Sequence, residues 1–412
     1  MLLNNKAIRY AILLVLMAFH FWFGMSKGWN KANTDFTNYH VSAQLLMEGK
    51  IDSCYNDVYF QQKVTEYAVG ARGQFSLYPP FCAVIAIPLS GFSIMQAKRV
   101  WLCFSLGCFL LLVIVFARVA HLSLLSSAIS ICFFGFSLTN DLFLGQIYLF
   151  IALIITTAIY CVKKNKIMFA ALAATVASLK LVTIAWLALI LNKQYRKHAL
   201  LLCLGVLIFN GLLIGYAGVS CYLNYFYTRL MPYLGGQVFN EIPYDYAYQS
   251  FHSLLANVLL KDALLNPFPV FESPKLYWLL ITALKILSIG FIGFVLLLFK
   301  KNKIQVDAFL ALLVLVIIAF EPGSASYHLL LSIPALALCM KKYEFVIRKK
   351  IIMIFLVLLT GLLPAIIDKY IAVQFNFLLL HYSRLIMATA MFSSMFYILA
   401  IKSQNAYTSK TA

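Results

Sequence analysis

Apolar runs dominate the chain, and most are closed by a short basic cluster. Runs long enough to cross a hydrocarbon core of about 30 Å fall at roughly 7–25, 99–118, 123–138, 146–162, 198–219, 276–298, 304–320, 326–340, 349–366 and 380–400. Between them stand KKNK at 163–166, NKQYRK at 192–197, KKNK at 300–303 and KKYEFVIRKK at 341–350. This pattern predicts an all-α polytopic membrane protein, a helical bundle of about ten full spans. The first run carries Arg9 ahead of its apolar stretch and shows no small-residue cleavage site, so it is expected to stay as a signal anchor.

Two segments break the simple count. Placing the basic clusters and both termini in the cytoplasm requires the segment 167–191 to enter and return between two clusters, and it is too short for two spans. MFAALAATVASLK and LVTIAWLALIL are therefore expected to be half-length helices meeting near Lys180. A charged residue at such a break is tolerated only against protein or a water-filled cavity, which makes Lys180 a site candidate. The other reading is one tilted span with Lys180 snorkelling. The stretch Leu77–Phe92, with its YPP start and Pro88, fits an interfacial or re-entrant helix better than a crossing.

Composition agrees with a membrane setting. The 412 residues are 63% hydrophobic and 11% charged, with mean hydropathy +0.88, whereas soluble domains carry about 25% charged residues. A formal charge of +19 invites nucleic acid, but the cations lie in clusters between apolar runs, so topology explains them and no nucleic-acid partner is expected. With the clusters inside, the only inside acids are Asp307 and Glu344, which is the expected charge bias. The expected location is a bacterial plasma (inner) membrane, with one transmembrane domain over 1–402 and a cytoplasmic tail at 403–412. Most of the nine cysteines sit in apolar runs and read as small hydrophobes. Cys54 and Cys221 stand open either as free thiols or as a bridge, and no cysteine–histidine spacing suggests a metal.

The polar residues left over collect on the outer side. Two long segments frame them, 26–98 and 220–275, joined by the turns TNDLFLGQ, EPGSASYH and the stretch Asp368–Arg384. Asp35 to Gly49 shows helical apolar spacing and is expected to lie on the membrane surface, with a second such helix over Tyr55–Ala68. Each outer candidate has a plain structural alternative. Asp35 can cap the helix starting at Phe36, Lys98 and Arg99 can anchor at the interface, and Glu321 and His328 can be a cap and a loop histidine. Gln146, Gln249 and Ser250 suit sugar hydroxyls or helix bridging, while Tyr39 and Tyr78 can stack on a sugar or anchor at the interface.

In order, TDFTNYHVSAQLLMEGK, FSLYPPFCAVIAIPL, GQIYLF, ASLKLVTIAWLALIL, YAYQSFHSLL and EPGSASYHLLLSIPAL make the chain resemble the integral-membrane GT-C glycosyltransferases, specifically family GT87, the polyprenyl-phosphate-mannose-dependent mannosyltransferase group. The resemblance implies a GT-C type bundle with surface helices in the first external loop and a site on the non-cytoplasmic face. It also implies a hexose, such as mannose, carried on a polyprenyl phosphate, and makes Asp35 the catalytic base and Lys180 the lysine of the family's K-L-x-P-like motif. Thr183 replaces that motif's proline, and Tyr248 replaces an asparagine before Gln249–Ser250.

The expected chemistry follows from these groups. Asp35 takes a proton from an acceptor hydroxyl of a lipid or glycan, and the donor phosphate leaves toward Lys180 and Arg99, with Lys98 and His328 assisting. Tyr39, Tyr78, Gln146, Gln249, Ser250 and Glu321 are the expected substrate contacts. No cofactor or metal is expected, since the leaving group is one phosphate; membrane lipids surround an expected monomer. A transporter or flippase, favoured by repeated broken helices, and a non-catalytic membrane subunit are the competing classes.

Overall fold

A computed structural model describes residues 5–75, 78–235, 244, 246–342, 347–367 and 378–401. The tail 403–412, Glu344 and parts of the segments around 236–243 and 368–377 lie outside the described residues. Among the described residues the chain is helical, with one isolated antiparallel bridge, Asp262 to Asn266. This is the all-α polytopic membrane protein that the apolar runs predict.

Among the described residues, five helical stretches are long and apolar enough to cross a bilayer: Lys6–Trp29, Ile94–Ala120, Lys193–Ala217, Pro274–Lys300 and Ser383–Ala400. The first is α1 (Lys6–His20), continued by a π-helical turn, and Asn5 caps it by accepting from the Ala7 N–H. In the chain's first polar segment follow α2 (Phe36–Met47) and α3 (Asp57–Tyr67). Next comes α4 (Ile94–Ala120), opened by a Ser93–Gln96 capping box and closed by His121 in the left-handed region at φ 55°.

The run 123–138 departs from the expected single span. It divides into α5 (Leu124–Cys132) and α6 (Phe136–Leu144), bent by 79°. Gly135 makes the bend, with φ 51° and ψ −120°, and a Cβ there would lie 2.7 Å from the Gly361 carbonyl oxygen. The carbonyl of Cys132, which accepts from the Gly135 N–H at 3.0 Å, also meets His20 of α1, and His20 in turn meets Thr139 at 2.9 Å.

Several other predicted spans are short as helices. They are α7 (Tyr148–Lys163), α12 (Val306–Ala319), and the run 326–340, which divides into a 3₁₀ helix, Ser326–Ser332, and α13 (Ile333–Lys342). A 16-residue helix such as α7 is ~24 Å long. Such helices need not match the bilayer because neighbours enclose them: nearly every residue of α12 and α13 is buried. Before α12 in the chain come α8 (Met168–Lys180), α9 (Arg196–Ala217), α10 (Phe251–Leu259) and α11 (Pro274–Lys300); after α13 come α14 (Ile347–Ile367) and α15 (Ser383–Phe396).

The fold-back at Lys180 is present. α8 ends there, Leu181 turns the chain at φ 45°, and a 3₁₀ helix, Val182–Leu191, returns. A non-glycine residue in that conformation costs about 1–2 kcal/mol, offset by cross-ties between the arms. Thr183 donates its hydroxyl to the Ala173 carbonyl of α8 at 2.7 Å, and Trp186 ties the returning arm to α12 by donating to the Leu310 carbonyl at 3.1 Å. The stretch after Tyr-Pro-Pro is likewise a 3₁₀ helix, Pro80–Leu89, which at ~2.0 Å per residue is too short to cross.

α2 corrects one expectation. It does not lie on a surface: from Phe36 to Leu46 all but Gln44 are buried, polar residues included, because the 80–89 helix, α3 and α4 enclose it. Trp101 of α4 packs on Phe36 and Tyr39 with ring centroids 5.6 and 6.2 Å apart. The peripheral helix of this loop is α3. All nine cysteines, Cys54 and Cys221 included, are free thiols.

Gly135→Val puts a branched side chain into a glycine-only conformation against the α14 backbone. It should cost about 3 kcal/mol, read as a lower thermal midpoint in detergent, while Gly107→Ala on α4, with open space beside it, should leave the midpoint unchanged.

Candidate active site

Asp35 stands at the N-terminus of α2, but its backbone is already helical (φ −61°, ψ −24°) and its carboxylate makes no capping bond. It accepts instead from Gln146 Nε2 at 2.5 Å. The amide is fixed from behind, since its Oε1 accepts from Tyr39 at 2.7 Å and from Tyr78 at 3.3 Å, and the two phenol oxygens lie 2.8 Å apart. With its oxygen facing hydroxyl donors, Gln146 must present N–H to the carboxylate. Burial pushes the Asp35 carboxyl above the ordinary aspartate range, while the Gln146 hydrogen bond and the Lys98 and Arg72 cations pull the other way. A carboxylate kept poorly solvated is a stronger base than one in water.

Lys180 approaches from the opposite side. The break after α8 projects its ammonium over the rings of Tyr78, 4.6 Å from the centroid, and Tyr148, at 5.2 Å. It has no carboxylate ion pair among the described residues. The Tyr148 hydroxyl contacts His328 Nε2, whose Nδ1 lies 3.1 Å from Glu321 Oε2. Phenol, imidazole and carboxylate thus form one chain beside the ammonium. Asp141 sets Tyr148 in place: fully buried, it accepts from the Tyr148 backbone N–H at 3.0 Å.

Both groups face one cavity of about 710 Å³, lined by Asp35, Tyr78, Gln146, Lys180, Gln249, Glu321 and His328 among the predicted residues. Tyr78 joins the two halves, its hydroxyl in the Asp35 network and its ring under Lys180. Sugar-sized polar ligands match this volume and this mixture of carboxylate, amide, phenol and cation. Among the described residues, no three His, Cys, Asp or Glu side chains converge as metal ligands.

Other predicted residues are placed differently. Lys98 is wholly buried beneath the site, donating to Thr34 Oγ1 at 2.8 Å and the Phe143 carbonyl at 3.0 Å. Gly145, at φ 70°, leaves the room it needs, since a Cβ would come within 2.6 Å of its Nζ. Lys98 acts on Asp35 through its charge and does not line the cavity. Arg99 points away, its guanidinium 5.7 Å from the Trp29 ring centroid and 3.3 Å from Asn30 Oδ1. Consecutive helix residues diverge by ~100°, so the pair cannot both reach the site. Tyr39 is buried behind Gln146. Ser250 is the N-cap of α10, accepting from the Ser253 N–H. Gln249 reaches the cavity wall, but both ends of its amide hold the α15 entry, through the His381 carbonyl at 2.6 Å and the Leu385 N–H at 3.2 Å.

The cavity adds residues that the sequence reading did not single out: Arg72, Arg384, Asn140 and Tyr148. Asn140 donates to Ser326 at 2.8 Å, and Arg384 to the Ala247 carbonyl at 2.6 Å. The signal for the two arginines was available. Both fall in segments predicted outside, where the charge bias depletes cations, so an arginine there calls for an anionic partner or ligand.

Glycosyltransferase family 87 matches this chain over residues 76–332, more than half its length, and the chain belongs to that family. No match is found among curated proteins or solved structures. The matched range holds Tyr78, Gln146, Lys180, Glu321 and His328; Asp35 precedes it, so its assignment rests on the cavity geometry.

Gln146→Leu removes a bond that favours ionised Asp35, so the acid limb of the pH–rate profile should move to higher pH. Loss of one hydrogen bond to a charged group, about 1.5 kcal/mol, should displace that limb by about one pH unit, read by comparing the pH–rate profiles of variant and parent.

Proposed function

We propose that this family 87 glycosyltransferase moves a hexose, such as mannose, from a polyprenyl-phosphate donor to a hydroxyl of a lipid or glycan. The observation that carries the reading is the shared cavity: a desolvated carboxylate and an ammonium without a carboxylate partner face the same space across Tyr78. The acceptor oxygen forms a bond to the anomeric carbon as its proton passes to Asp35. The bond from that carbon to the phosphate oxygen breaks, and its electron pair leaves on the phosphate.

Charge therefore builds on the phosphate in the transition state, and Lys180, Arg72 and Arg384 line the cavity as cations to receive it. His328, held between Tyr148 and Glu321, orders polar groups beside it. For the lipid, a largely apolar cavity of about 290 Å³ adjoins at Tyr148, Lys180 and Glu321 and continues along Val182, Ile317 and Leu331.

Charge at the two ends of the bundle supports the proposed sidedness. α7 runs from Tyr148 at this cavity to a distant cluster, Arg118, Lys163, Lys164 and Lys341, around Asp307, which pairs with Lys163 at 2.8 Å. By the positive-inside rule the cationic end supports a cytoplasmic reading, and with it a cavity on the outer face of a bacterial inner membrane. A reporter fused after Lys166 should read as cytoplasmic, and a periplasmic reading refutes this orientation.

With a polyprenyl-phosphate hexose and membrane extract, Asp35→Asn should lower transfer by about 10²–10⁴ and Lys180→Met by about 10²–10³, both with unchanged thermal stability. Parental rates in Asp35→Asn sink the base assignment. As pH falls through the raised Asp35 pKa the carboxylate protonates, so the parent should lose rate on an acid limb above the ordinary aspartate range of about 3.9.

A further inference from the structure

α11 carries an ionisable residue that the reaction above does not use. Lys285 interrupts the apolar sequence of this helix, whose Trp278, Leu279, Ile286, Leu287 and Ile289 are exposed as a lipid-facing side would be. The nearer helix end is ~16 Å away along the axis, too far for the ammonium to reach past it. Ionisable side chains inside spans are costly and face protein or a cavity. Lys285 does so: with His252, Ser288, Tyr233 and Phe320 it lines a cavity of about 270 Å³.

Three features make this cavity a site for an anion. Among the described residues no carboxylate lines it, and Lys285 has no ion pair. His252, only 5% exposed, has a ring Nδ1 with no hydrogen-bond partner, a cost that a ligand's polar group would remove. Ser288, about one helical turn from Lys285, lines the same cavity.

The cavity is also not isolated. It shares Tyr233, Ser288, Phe320 and Pro322 with the apolar cavity, which in turn shares Tyr148, Lys180 and Glu321 with the catalytic one. The three cavities therefore adjoin in series, from a cation on the lipid-facing helix, past apolar walls, to the cation in the active site. A ligand with one anionic head and a long apolar tail suits both ends of that series; a free anion has no use for its walls.

We propose that Lys285 and His252 form an entry site, which captures the phosphate of the lipid-borne donor from the bilayer before it moves to Lys180. This rests on the transferase reading above, and it adds a second phosphate position and a direction of entry.

The test has a catalytic and a binding arm. In the first, Lys285→Met should raise the donor KM about tenfold and leave kcat within twofold, with Lys285→Arg close to the parent; a lower kcat at unchanged KM overturns the inference. In the second, a polyprenyl phosphate without sugar is titrated into the protein in zwitterionic nanodiscs. Lys285→Met and His252→Phe should each bind it about tenfold more weakly, polyprenol without phosphate should not compete, and millimolar inorganic phosphate should compete only weakly. Equal binding by parent and Lys285→Met, no binding by the parent, or full competition by inorganic phosphate overturns the site. If the parent binds the lipid and the variants lose it but no sugar is transferred, the transferase reading fails and the site stands.

Discussion

The contact on which the site depends is the short hydrogen bond from the Gln146 amide to the Asp35 carboxylate, made where little water can reach. Left alone there, the carboxyl would take up a proton and could no longer accept one. One amide, two phenols behind it and the buried Lys98 charge below keep ionisation within reach without supplying a direct ion pair. A salt bridge in that place would have stabilised the charge and weakened the base. The arrangement holds a middle position, and most of the packing around α2 serves it: Trp101, Phe36 and the 80–89 helix surround the network on the sides away from the cavity.

The same logic separates the two halves of the site. Acid and cation share a cavity without touching, because Tyr78 stands between them and interacts with each through a different part of its side chain. The hydroxyl belongs to the carboxylate network and the ring face to the ammonium. Each charge is then answerable to a ligand and not to the other. The broken helix at Lys180 makes this possible. A continuous span would carry the ammonium along its side, whereas the fold-back presents it at a tip with apolar arms behind it, tied together through Thr183.

Parts of this were legible in the chain. Two basic clusters around an apolar stretch too short for two spans required the Lys180 fold-back, and the gathering of Asp35, Gln146, Glu321 and His328 at one cavity agrees with the same parity. Other parts were not. The enclosure of α2 depends on three elements distant in sequence, and its polar residues gave the pattern of a surface helix. Lys98 and Arg99 read alike as neighbours, yet the helix sends one under the site and the other onto Trp29. Short helices such as α7 and α12 counted as spans because hydropathy does not distinguish lipid from protein as the apolar surroundings.

By itself the sequence determined the class, an all-α membrane protein, together with the broken segment and the residue types available for acid, base and phosphate chemistry, since these depend on local periodicity and on the cost of placing charge in lipid. Only the tertiary structure decided which of those residues meet. The carboxylate at 35, the amide at 146, the cation at 180 and the arginines at 72 and 384 are brought together by helix crossings and by the bend at Gly135, and no spacing along one chain encodes a distance across a cavity.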